Sequence, residues 1–203
     1  DWWADNKNYW KHVRTVWNEY FKEKSIISLH SQKDHNDKLL EFLFKAIKYC
    51  YEIFNSETSF FISRTNNDLQ SVRVRDSLIE YLEANKLPFK KIMNLKNDSY
   101  IRHLKSSHII LGNSSSLIIE TPNLHKASVI LGNRQDGRQH AKSVLHSFYD
   151  IEKLKKNIKI ASEINLNNEN SLFDKEFFRN PYWKGGACKK VVDFLFNNGI
   201  LNG

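Results

Sequence analysis

The sequence predicts an α/β domain, a parallel sheet flanked by helices, and three observations predict it. Short β-rich runs alternate with stretches of helical periodicity, the spacing that a parallel sheet requires. The 203 residues, 40% hydrophobic and 27% charged, suffice for one domain with a real core and exclude a disordered chain. Polar residues gather just after four of the β-rich runs, on what a parallel sheet makes a common edge.

"SIISLH" (Ser25 to His30) reads as the first strand, and "NDKLLEFLFKAIKYCYEIF" as a helix with apolar positions Leu39, Leu40, Leu43, Ile47 and Cys50. "TSFFIS" (Thr58 to Ser63) is the second strand and "VRDSLIEYLEAN" the second helix, stopping near Asn85. "FKKIMNL" is the third strand, "SYIRHLKSS" a short helix, "HIILG" (His108 to Gly112) the fourth strand and "ASVILG" (Ala127 to Gly132) the fifth. The last third reads as mostly helical, with "IEKLKKNIKIASEI" and then "ACKKVVDFLFNN" ahead of Gly199. Within it, the lysines of "KLKKNIKI" have the spacing of a solvated face. Residues 1–24 differ in kind: they hold four of the five tryptophans, and Trp10, Val13, Trp17 and Tyr20 recur at helix spacing. We therefore expect an aromatic N-terminal helix or extension over 1–24 and one domain over 25–203. The aromatic strip packs on that domain or docks a partner.

Composition narrows the partners. Lys+Arg 31 against Asp+Glu 23 gives a formal charge of +8, which favours anionic partners such as a phosphate-bearing ligand or nucleic acid. No basic-aromatic interleave or reader motif accompanies the charge, so nucleic acid is the weakest option. No apolar run approaches the roughly 20 residues a bilayer needs, and cytoplasm is the expected compartment. Cys50 and Cys188 match no metal or redox spacing and are expected as buried small hydrophobes. Neither a metal nor a cofactor is expected.

The candidate site comes from the polar residues at the strand ends. His30, Ser31 and Gln32 stand at the end of the first; Arg64, Thr65, Asn66 and Asp68 at the second; Asn113, Ser114, Ser115 and Ser116 at the fourth; Asn133, Arg134, Gln135 and Arg138 at the fifth. A helix starting in "SSSLIIE", capped by Asn113 or Ser114, would offer backbone N–H groups to a phosphate at the positive end of its dipole. Glu120, six residues past Ser114, would then reach a sugar or ribose hydroxyl from beyond the first turn. Simple capping of a buried helix is the competing reading, and Arg134 and Arg138 on the neighbouring strand's exit tip the balance towards phosphate.

The stretch "GNSSSLIIETPNLHKASVILGNRQDGR" resembles the hydrolysing UDP-N-acetylglucosamine 2-epimerases, enzymes that begin sialic acid and related nonulosonate synthesis. Gly112, Asn113, Ser114, Ser115 and Glu120 match G-N-S-S-x-G-x-x-E, and Gly132, Arg134, Gln135, Gly137 and Arg138 match G-x-R-Q-x-G-R. "VLH" at Val144 to His146, "NPYWKGGA" at Asn180 to Ala187, and Asn66 with Asp68 extend the likeness from about Ser25 to the C-terminus. Leu117 stands where the family usually has glycine, and Ser31 where it has proline or arginine.

The resemblance implies a GT-B-like enzyme of which this chain is the C-terminal, nucleotide-binding half. It implies diphosphate binding at Ser114 and Ser115, ribose binding at Glu120, phosphate or loop anchoring by Arg134 and Arg138, and further UDP contacts at Asn66, Asn113 and Ser116. His30 falls at the place of a catalytic-cleft histidine. The implied ligand is UDP-N-acetylglucosamine or a related UDP-amino sugar. The implied acid/base carboxylates belong to an N-terminal catalytic domain or partner subunit, and homo-oligomers are also compatible with the resemblance. Such a chain alone would bind UDP and turn over little or nothing. A non-catalytic nucleotide-sugar-binding module and a GT-B glycosyltransferase are the alternatives.

Overall fold

The computed structural model describes residues 26–30, 38–54, 58–63, 69–92, 97–167, 175–183 and 185–200. Among them the strands are β1 (Ile26–His30), β2 (Ser59–Ser63), β3 (Phe89–Ile92), β4 (Ile109–Gly112), β5 (Ser128–Leu131) and β6 (Val144–Phe148). The helices are α1 (Lys38–Phe54), α2 (Leu69–Ala84), α3 (Asn97–Ser106), the single turn α4 (Ser116–Ile119), α5 (Ile151–Leu166) and α6 (Ala187–Asn197). A 3-10 turn, Thr121–Leu124, links α4 towards β5. The expected aromatic helix over 1–24 lies outside the described residues, as do Ser31, Asn66 and Asp68.

The strands form one parallel sheet in the order β3-β2-β1-β4-β5-β6. That order confirms the α/β, Rossmann-like reading, and it reverses direction between β1 and β4, the switch point outside whose carboxyl ends open α/β sheets bind their ligands. Register pairs His30 with Gly112 at that point.

Successive side chains on a strand point to opposite faces, and both faces here are covered. Ile27, Leu29, Phe60, Ile62, Ile109, Leu111, Val129 and Leu131 face one core, closed by Leu39, Leu43 and Ile47 of α1, Leu78 and Leu82 of α2, and Leu154 and Ile158 of α5. Ile110 and Ile130 face the other, closed by Leu104 of α3 and by Leu117 and Ile118 of α4. The lysines of α5 fall on its outer side, as the spacing predicts: Lys153, Lys156 and Lys159 are exposed while Leu154 and Ile158 are buried.

Three features depart from the sequence reading. β6 shows in the sequence only as the motif "VLH"; it is an edge strand reached by a polar, helix-free crossover. The helix at α2 begins earlier than its apolar periodicity suggests, at Leu69. Cys50 is buried as expected, but Cys188 is exposed.

One buried amide ties α5 to the sheet. Asn165 Nδ2 donates to the carbonyls of His108 and Ala127, each at 3.0 Å, and Asn165 Oδ1 accepts from the Ala127 N–H at 2.7 Å. Asn165→Ala strands three backbone groups, two of them buried, so we expect a loss of about 3 kcal/mol. Urea unfolding measures it, and a loss below about 1 kcal/mol would show that water replaces the amide.

Candidate functional site

The site is assembled around the exit of β4. Gly112 has φ +146°, and a Cβ there would lie 2.0 Å from the His30 carbonyl oxygen, so only glycine lets the two strand ends meet. Past it, the amides of Asn113 and Ser114 both donate to that carbonyl, at 3.1 and 3.2 Å. Here the structure corrects the capping expectation. Neither Asn113 nor Ser114 caps α4; Ser115 does, in helical backbone conformation and without a side-chain cap bond. The amides left for an anion are those of Ser115 and of Ser116, whose contact to Ser114 Oγ is long at 3.4 Å.

A second correction concerns Glu120. α4 is one turn, not a helix running on past it: Pro122 opens the 3-10 turn, and the Thr121 hydroxyl closes back on the Leu117 carbonyl at 2.7 Å. Glu120 therefore caps the C-terminal end of α4. Its carboxylate still returns to the serines, through a residue that strand-end reasoning missed. Tyr100 on α3 donates from its hydroxyl to Glu120 and also hydrogen-bonds with Ser116. Burial raises the Glu120 carboxyl above its usual range, and the Tyr100 bond partly opposes this. Among the described residues, Glu120 Oε2 is buried and has no hydrogen-bond partner.

The crossover between β5 and β6 closes the other side. Arg134 Nη1 and Gln135 Nε2 both donate to the Asn113 carbonyl, at 2.9 and 2.8 Å, and Arg138 Nη1 donates to Gln135 Oε1 at 2.9 Å. Arg138 also stands over the Tyr182 ring, 5.7 Å from its centroid. Asn180 completes the tie by donating to the Ile119 carbonyl at 2.7 Å. The segments "GNSSS" and "GNRQDGR" are thus hydrogen-bonded to each other, and "NPYW" joins them through the Ile119 carbonyl at the end of α4 and through the Arg138–Tyr182 contact. Gln135 is 1% exposed, a structural pin rather than a ligand contact. His146 of β6 stacks on His140 of the crossover, centroids 4.6 Å apart, and burial lowers its pKa to about 4.

His30 sits beneath this arch. Its ring is buried, Nε2 lies 2.7 Å from Ser28 Oγ, and the edge of Tyr100 approaches with centroids 6.0 Å apart. Burial, and then the neighbouring His103, lowers its pKa to about 3, so the imidazole is neutral at pH 7. Of the sequence-derived residues, Asn113, Ser114, Ser116, Glu120, Arg134 and Arg138 join one hydrogen-bonded neighbourhood, Ser115 lies within it, and His30 adjoins it through its carbonyl. Among the described residues no cluster of His, Cys, Asp and Glu could hold a metal, and no helix is long and apolar enough to cross a membrane.

A six-stranded parallel sheet in this order, with a polar arch at its switch point, defines a Rossmann-like α/β domain of the GT-B kind. A family model described as UDP-N-acetylglucosamine 2-epimerase matches residues 4–196, and the chain belongs to that family. A polysialic acid biosynthesis protein of Escherichia coli is 27% identical over 169 residues, covering 83% of this chain and 39% of that protein. The UDP-N-acetylglucosamine 2-epimerase of Neisseria meningitidis serogroup B is 25% identical over 140 residues, covering 63% of this chain and 36% of it. Among solved structures, a Neisseria meningitidis UDP-GlcNAc 2-epimerase bound to UDP-GlcNAc superposes with a TM-score of 0.64 at 16% identity, over 92% of this chain and 50% of that one. A Methanocaldococcus jannaschii UDP-GlcNAc 2-epimerase in complex with UDP-GlcNAc and UDP gives 0.61 at 17%, over 92% and 48%. The chain spans half or less of the length of each.

Proposed function

We propose that this chain is the C-terminal, nucleotide-sugar-binding half of a hydrolysing UDP-N-acetylglucosamine 2-epimerase, which converts UDP-N-acetylglucosamine or a related amino sugar to the 2-epimer and free UDP. The observation that carries the reading is the pair of bonds from Arg134 and Gln135 to the Asn113 carbonyl. They hold a basic loop over a serine turn at the sheet's switch point. Residues 25–203 form the binding domain and residues 1–24 an appended aromatic segment. Cytoplasm remains the proposed compartment.

In this reading the diphosphate lies on Ser114, Ser115 and Ser116, and the spare N–H donors of Arg134 and Arg138 face it. As the bond from C1 of the sugar to the UDP oxygen breaks, negative charge grows on the diphosphate, and donors already fixed by their other bonds stabilise it without reorganising. The Glu120 carboxylate is the proposed acceptor for a ribose hydroxyl. Removal of the C2 proton needs a base within hydrogen-bond reach. The N-terminal catalytic domain or partner subunit supplies it, and the exposed apolar residues Trp183, Val191 and Phe194 are the proposed contact for that partner. His30, neutral and inward-bonded, serves the cleft as a hydrogen-bonding group. Asn66 is retained as a proposed UDP contact.

Calorimetric titration with UDP tests the reading directly: heat of binding is expected, and none at millimolar ligand from a folded sample would refute it. Glu120→Ala is expected to weaken UDP about tenfold, the scale of a hydrogen bond to a charged group, while leaving pyrophosphate nearly unchanged. Equal losses for both ligands would remove the ribose contact.

A second reading, a binding module without catalysis, is favoured by the burial of His30 and the engagement of its Nε2. Turnover by the chain joined to an N-terminal domain would defeat it.

A further inference from the structure

Ser28, His30 and His103 form a chain of contacts that the uridine diphosphate reading does not use. β1 alternates: Ile27 and Leu29 enter one core, whereas Ser28 and His30 face α3 on the other side. Ser28 Oγ lies 2.7 Å from His30 Nε2 and 2.9 Å from His103 Nε2. Ser28 and His103 are fully buried and His30 nearly so. Phe61 packs on the His103 ring at 4.8 Å, so bulk water does not mediate these contacts.

A hydroxyl has one proton to donate, and a neutral imidazole has one N–H and one bare nitrogen. Both rings are neutral, since burial holds His30 to about 3 and His103 to about 4. When Ser28 donates to His103 Nε2, His30 must offer Nε2–H and keeps Nδ1 as a lone pair. When Ser28 donates to His30 Nε2, His103 must offer Nε2–H and the His30 proton sits on Nδ1. Two rings donating together would leave the Ser28 proton buried without an acceptor between them, and two rings accepting would ask one hydroxyl for two protons.

We infer that His30 and His103 are locked as opposite tautomers, and that His103 is a positioning residue for His30. Through Ser28 Oγ it decides whether Nδ1 of His30 meets a ligand as acceptor or as donor. The consequence for a ligand rests on the function proposed above; the tautomer lock does not.

Nitrogen-15 imidazole spectra of this chain read tautomers directly. In the wild type, one ring is expected as Nε2–H and the other as Nδ1–H; the same tautomer on both rings overturns the inference. Ser28→Ala should collapse the fixed His30 pattern towards the average of two exchanging tautomers, and Ser28→Thr, which keeps the hydroxyl, should restore it. His103→Gln offers an amide at the Nε2 position and provides a second variant should Ser28→Ala fail to fold. His30 nitrogen shifts unmoved in both Ser28→Ala and His103→Gln overturn the coupling. Titrating UDP into the same sample separates the two proposals. A locked pair with no UDP response refutes the ligand reading and leaves the lock intact.

Discussion

Gly112→Ala is expected to cost about 4 kcal/mol, a sum of forced φ strain and overpacking against main chain. The added Cβ would meet His30 oxygen at 2.0 Å and His30 carbonyl carbon at 2.5 Å, and neither is the loose end of a side chain. Relief would require β1 and β4 to part at the register pair His30 and Gly112, which breaks the two bonds from the Asn113 and Ser114 amides to the same carbonyl. UDP binding should therefore disappear together with stability. Gly137→Ala is the control. It also has positive φ, at +72°, but nothing lies within 4 Å of its added Cβ, so only backbone strain of about 1 kcal/mol applies. Urea midpoints that shift equally for the two variants would show that the close approach at Gly112 is not the reason for glycine there.

The contrast between these glycines marks how far the sequence can be read. Alternating β and α periods, and the rule that parallel strands discharge onto one edge, suffice to place His30, Asn113 and Arg134 together. What the periods do not carry is the route of a crossover. Between Gly132 and Val144 no helix intervenes, so the alternation lapses, and the half-exposed edge strand β6 lacks the continuous apolar run that betrays β4 and β5. Likewise "SSSLIIE" has a helical start, but Pro122 at the head of the next turn and the Thr121 hydroxyl bond stop α4 after four residues. Both signals are visible in the sequence, and both outweigh apolar spacing. Tyr100 and His103 are three apart and share a face of α3, yet spacing alone does not say which strand end that face meets. The period-2 pair Ser28 and His30 on β1 is the available clue, polar residues where a doubly covered strand should be apolar.

Acid should unfold this protein earlier than its carboxylates alone would require. His30 and His103 have folded-state pKa values lowered to about 3 and about 4, chiefly by burial, against about 6.5 for a free histidine. The unfolded chain therefore binds protons that the folded one refuses, and stability rises with pH wherever that difference persists. It is complete above about pH 6.5 and drains away between there and about pH 4 for His103 and about pH 3 for His30, at about 1.4 kcal/mol per pH unit for each ring. Glu120 acts in the opposite sense: with its folded pKa raised, stability is regained as pH falls through that raised value towards the ordinary carboxylate range, and nothing more is gained below it. Ser28 and Tyr100, which meet His30, and Phe61, which packs on His103, are all uncharged. Charging either ring inside this wall must therefore break the Ser28 bridge or admit water. Thermal or urea midpoints measured from pH 7.5 to 4.5 should fall steeply, and His103→Gln, which deletes one of the two titrations, should flatten the pair's share of the slope by about half. A midpoint that holds steady down to pH 5 would mean that these imidazoles are hydrated in the folded protein, and the buried bridge on β1 would have to be abandoned.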